Sequence, residues 1–147
     1  MDLVVQSMSD KLNFHFDVDG ENFVSAGQAS VQVKKNLREL GLPPEVIRRV
    51  SIAMYEGEIN MVIHANGGFA DVDVYEDKIV ITLDDKGPGI KDIALAMQEG
   101  YSTASDQVRS LGFGAGMGLP NMKRYTDDMQ IDTRVGVGTK ITMTIRL

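Results

Sequence analysis

Cysteine is absent from this 147-residue chain, which removes disulfides, thiolate zinc centres and cysteine nucleophiles from consideration. No run of about eighteen apolar residues occurs either, so no segment reads as a membrane-spanning helix. The opening MDLVVQSMSDKLNF has no basic stretch ahead of its short apolar patch, as a secretory leader has. Basic residues are the minority, 15 Lys and Arg against 21 Asp and Glu, for a net charge of −6. They gather into no patch, and that balance disfavours nucleic acid or an anionic membrane as partner. What remains, 43% hydrophobic and 24% charged residues, suits one globular unit with a real core. The expectation is a soluble, cytoplasmic protein forming a single domain over 1–147.

Periodicity supplies the element order. KLNFHFDV alternates with period two and predicts a strand; FVSAGQASVQVKKNLRELG repeats at three and four and predicts a helix ended by Gly41, Pro43 and Pro44. A second helix starts at Pro44 and runs through PEVIRRVSIAMYEGEINMVIHANGG, with Gly67 and Gly68 as its stop. ADVDVYE and KIVITLDD form a hairpin about Asp77, and IKDIALAMQEG reads as a short helix. A long glycine-rich connection, a lid at about 97–116, leads to a helix in GLPNMKRYTDDM and two last strands, QIDTRV and TKITMTIRL. The predicted fold is α+β, a two-layer sandwich of a mostly antiparallel or mixed sheet with helices on one face.

Three local constellations carry chemistry. On the second helix Glu56, Asn60 and His64 are four apart and share a face, while Glu58 is turned about 200° from Glu56. Such a stripe is also what a solvated helix face looks like. An Asn carbonyl is a hard oxygen suited to magnesium beside phosphates, and a carboxylate one turn away can take a proton from a hydroxyl. LDDKGPGI is the second: Asp85 ends a strand as an acceptor-only group able to read an exocyclic amine, and Gly87 and Gly89 allow a ligand close approach. A plain tight turn uses the same residues. The third is GFGAGMGL, where Gly114, Gly116 and Gly118 precede a helix and their N–H groups can cradle phosphate, although a merely flexible loop is also glycine-rich.

In this order the segments resemble the nucleotide-binding boxes of the GHKL superfamily, which includes gyrase, the heat-shock chaperone ATPase and histidine kinases. EGEIN resembles the N box, DDKGPGI the DxGxG box and GFGAGMGL the second glycine box, while GVGTK is similar to the segment that closes the base pocket. Within the superfamily the chain is similar, over about residues 10 to 147, to the small bacterial anti-sigma serine/threonine kinases of partner-switching systems. Gly57 and Glu58 are atypical within the N box.

The resemblance implies the GHKL ATP-binding fold, with ATP and Mg²⁺ as cofactors. Asn60 is the implied metal ligand and Glu56 the implied general base, with Glu58 as its rival. Asp85, Gly87, Gly89 and Thr139 are implied at the base and Gly114, Gly116 and Gly118 at the phosphates. The implied substrate is an anti-anti-sigma protein of STAS type, with a sigma factor or a phosphatase as a second client and a homodimer as a possible assembly. An ATP-dependent binding module that switches partners with little catalysis is the alternative. Ser102, Ser105 and Ser110 are lid residues open to autophosphorylation or simply solvated; the methionines read as core filler, and Asp127 and Asp128 as surface charge.

Overall fold

The computed structural model describes residues 11–20, 26–65, 67–98 and 118–147. In chain order these form β1 (Leu12–Asp19), α1 (Gln28–Glu39), α2 (Pro44–Ala65), β2 (Gly67–Val74), β3 (Lys78–Asp85), the single turn α3 (Ile93–Ala96), α4 (Gly118–Arg124), β4 (Asp128–Arg134) and β5 (Gly138–Arg146). The strands make one sheet in the order β1-β2-β3-β5-β4, and every neighbouring pair is antiparallel. This is the α+β architecture expected from the periodicity.

Alternation in the strands decides which face the helices cover. Ile79, Ile81 and Leu83 of β3 and Ile141, Met143 and Ile145 of β5 are buried on one side, where Val50, Ala53, Met54, Met61 and Val62 of α2 join them in a common core. Val33 and Leu37 extend that core into α1, and Leu119 and Met122 extend it into α4. Each such Val, Leu, Ile or Met side chain contributes about 1.5–3 kcal/mol by leaving water. The helix α2 is thus the spine of the second layer, and both neighbours on it are positioned by apolar packing. Among the described residues, no helix is long and apolar enough to cross a membrane.

Two boundaries differ from expectation. Helix α1 begins at Gln28, after Gly27 at φ 96°, with no side-chain cap of its own. Gly67 and Gly68 do follow the end of α2, but they also open β2, paired with Asp19 and Val18 of β1. A Cβ at Gly67 would stand 2.2 Å from the Val18 carbonyl oxygen, and one at Gly68 would stand 2.3 Å from that of Asp84. The glycines therefore let β2 open at Gly67 in close contact with its neighbours, just beyond the end of α2 at Ala65. The expected lid lies outside the described residues from 99 onward, together with Gly114, Gly116 and the three lid serines.

Candidate functional site

The strand β3 ends by placing Asp85 opposite Thr139 of β5. The Asp85 Oδ1 accepts the Gly87 N–H at 2.9 Å and the Thr139 N–H at 3.2 Å, so the carboxylate closes the turn and fastens it to the next strand. Both donors use one oxygen, which leaves Oδ2 as an open acceptor among the described residues. Partial burial raises the Asp85 pKa above the usual carboxylate value; the two backbone N–H groups pull it down, and the charge of Asp84 adds a smaller upward push. The tight turn and the open acceptor belong to the same structure.

The rest of the loop is laced to the β4–β5 hairpin. Ile90 N–H donates to Thr133 Oγ1 at 2.9 Å, Thr133 and Thr139 hydroxyls meet at 2.8 Å, and Gly136 N–H donates to the Pro88 carbonyl at 2.8 Å. Gly89, at φ 79°, runs so close that a Cβ would stand 2.5 Å from the Arg134 carbonyl oxygen. On the other side a Cβ at Gly87 would lie 2.6 Å from that of Ala65, at the C-terminal end of α2. Glycine is required at both places by close approach, which seats the loop against the end of α2 on one side and the β4–β5 hairpin on the other.

The stripe of α2 carrying Glu56 and Asn60 faces α4. A Cβ on Gly118, the first residue of α4, would sit 3.2 Å from Asn60 Oδ1, and one turn further on Asn121 Nδ2 donates to Glu56 Oε2 at 2.9 Å. Glu56, Asn60 and Gly118 are therefore brought together, and the Asp85 loop abuts the same end of α2. His64 continues the stripe, and its burial lowers its pKa below the ordinary 6.5. Asn121 and Thr133 were not among the sequence candidates. Asn121 had a readable signal: it follows Gly118 by three residues, one helical turn, as Glu56 precedes Asn60 by four.

The unusual EGEIN is explained by the sides of α2 that face α1 and β3. Glu58 is 3% exposed, and its carboxylate accepts the N–H groups of Gly27 (2.9 Å), Ala29 (3.1 Å) and Ser30 (3.0 Å). It supplies from α2 the cap that α1 lacks. The Glu58 carboxylate is thereby occupied, on the far side of the helix from Glu56. Gly57 sits where any Cβ would stand 2.1 Å from Leu83 Cδ1, so glycine there lets α2 lie close on β3.

The donor set can be tested against the implied cofactors. Among the described residues no three His, Asp or Glu side chains form a metal cluster. One Asn oxygen instead fits a magnesium ion that takes its other ligands from phosphate and water. An open carboxylate oxygen flanked by two glycines fits a flat base bearing an amine.

Residues 23–145 match the histidine kinase-like ATPase domain, and the chain belongs to that family. More particularly, it is 31% identical over 118 residues to the serine/threonine-protein kinase RsbT of Bacillus subtilis, covering 77% of this chain and 83% of that protein. It is 31% identical over 141 residues to the anti-sigma F factor of Clostridium beijerinckii, covering 91% and 93%. The fold is similar to a crystal structure of RsbU and RsbW domains from Mycobacterium tuberculosis, with TM-score 0.63 and 18% identity over 92% of this chain and 32% of that one.

Proposed function

We propose that the protein is an ATP- and Mg²⁺-dependent serine/threonine kinase of the anti-sigma regulatory type, acting in the cytoplasm on an anti-anti-sigma protein of STAS type, with a sigma factor or a phosphatase as its second client. The observation that carries this reading is the seating of α4 on α2, with Gly118 against Asn60 and Asn121 bonded to Glu56. It gathers a hard oxygen, a carboxylate and the exit of a glycine loop beside the Asp85 turn.

In this reading Asp85 Oδ2 accepts from the adenine amine, Thr139 backs the base, and Gly87 and Gly89 give it room. Asn60 Oδ1 holds the metal, which when bound neutralises phosphate charge. Gly114, Gly116 and Gly118 line the phosphates. Glu56 takes the proton of the incoming Ser or Thr hydroxyl. Phosphoryl transfer asks chiefly for such positioning and charge neutralisation.

The test is transfer of label from ATP to a STAS-type protein. Glu56→Gln is expected to slow transfer by roughly 10²-fold with ATP affinity nearly kept, the scale of a lost general base. Asn60→Ala is expected to abolish transfer and to weaken Mg-ATP binding far more than metal-free ADP binding. Nucleotide binding without any transfer by the wild type would replace the kinase by a partner-switching ATP-binding module.

A further inference from the structure

Glu56 does not stand alone on its helix. Its Oε2 is held by Asn121 Nδ2 at 2.9 Å in a half-buried contact. The amide has one way round: a carboxylate only accepts and a guanidinium only donates. The nitrogen therefore faces Glu56, while the oxygen faces Arg124, whose Nη1 lies 3.5 Å away. With Oε2 engaged, Oε1 is the open oxygen of this carboxylate among the described residues.

The contact is not needed to dock the two helices. Leu119 and Met122, 6% and 0% exposed, already bury the apolar side of α4. Arg49, from α2, donates to the Tyr125 carbonyl at 3.1 Å and pairs with Asp127 at 3.2 Å. Asn121 adds a polar bond directed at one functional carboxylate. It stands three residues after Gly118, which borders Asn60.

We infer that Asn121 is a positioning residue for phosphoryl transfer: it fixes the Glu56 carboxylate and ties its orientation to the helix that follows the glycine loop. The base is then aligned when α4 is seated beside Asn60. This inference rests on the reading of Glu56 as the base.

Transfer kinetics of the full chain with ATP and a STAS-type protein test it, using Asn121→Leu, which keeps the bulk, and Asn121→Asp, which keeps the shape but removes the donor. Both variants should lose about tenfold or more in kcat, because a displaced catalytic group is costly. Calorimetric ATP affinity and KM for the protein substrate should each stay within about twofold. In the Glu56→Gln background neither substitution should lower transfer further, since the group it positions is gone. Should one variant fail to melt cooperatively, the other carries the cycle.

Wild-type kcat in a folded Asn121 variant overturns the inference, as does a loss in the double variant that multiplies the two single losses. So does a fall in ATP affinity as large as the fall in kcat. Failure of the underlying reading has a separate signature: Glu56→Gln would then transfer phosphate at the wild-type rate whatever stands at 121.

Discussion

In the proposed reading Asp85 does two jobs with different oxygens. Oδ1 takes both the Gly87 and Thr139 N–H groups, so the turn needs only that oxygen, and among the described residues Oδ2 is an open acceptor. The raised pKa means that the fold disfavours the ionised form, chiefly through desolvation. Ionised Asp85 therefore subtracts from stability at neutral pH, a cost that disappears as pH falls through its folded pKa. Asparagine retains an acceptor for both backbone donors, removes the buried charge and puts an NH₂ where Oδ2 stood. We predict that Asp85→Asn unfolds at the same or a higher urea concentration than wild type, yet binds ATP at least tenfold more weakly, a loss of about 1.4 kcal/mol. Calorimetry giving equal affinities would remove Asp85 from the base pocket. A large fall in the unfolding midpoint would show that Oδ2 is structural.

At the scale of elements, the strands and helices were legible because their periods are clean: KIVITLDD alternates and buries Ile79, Ile81 and Leu83, and α2 starts at the proline that suits a first turn. The Glu56–Asn60 stripe and the Asp85 turn were legible for the same reason, being set by local spacing. What stayed hidden depends on contacts distant in sequence. Nothing near Gly27 announces that its helix is capped by Glu58, thirty-one residues on, and nothing in EGEIN says that Gly57 must clear Leu83. Asn121 likewise acquires meaning only once α4 lies on α2. The cap makes a prediction. Glu58→Gln replaces one of two accepting oxygens by a donor and orphans at least one first-turn N–H, so it should cost about 1–3 kcal/mol in urea unfolding. Transfer per folded molecule should change little, since Glu58 faces away from Glu56. Silenced transfer at unchanged stability would return Glu58 to the catalytic site.

Across the whole molecule the two histidines shape the response to pH from opposite layers. His15, on the open face of the sheet, has its pKa raised above 6.5, first by the hydrogen bond to Asp71 at 2.8 Å; desolvation opposes this next, and the charge of Asp71 and then Asp17 add smaller upward pushes. His64, in the helical layer, has its pKa lowered by burial. A raised histidine adds stability that is fully present below about 6.5 and is lost as pH rises through the folded pKa; a lowered one adds stability present above about 6.5 and lost as pH falls through its own. The two windows do not overlap, so the histidines should contribute separate limbs to the stability of the ligand-free protein, an alkaline one from His15 and an acid one from His64. Their causes also differ. Salt screens the exposed His15 pair but leaves a desolvation cost untouched. Urea midpoints between pH 5 and 8 should therefore show the alkaline limb shrinking at about 1 M salt and in His15→Gln, while the acid limb persists in salt and flattens only in His64→Gln. An acid limb that salt erases would mean that His64 is opposed by neighbouring charge rather than by burial, and one that survives His64→Gln would belong to another group.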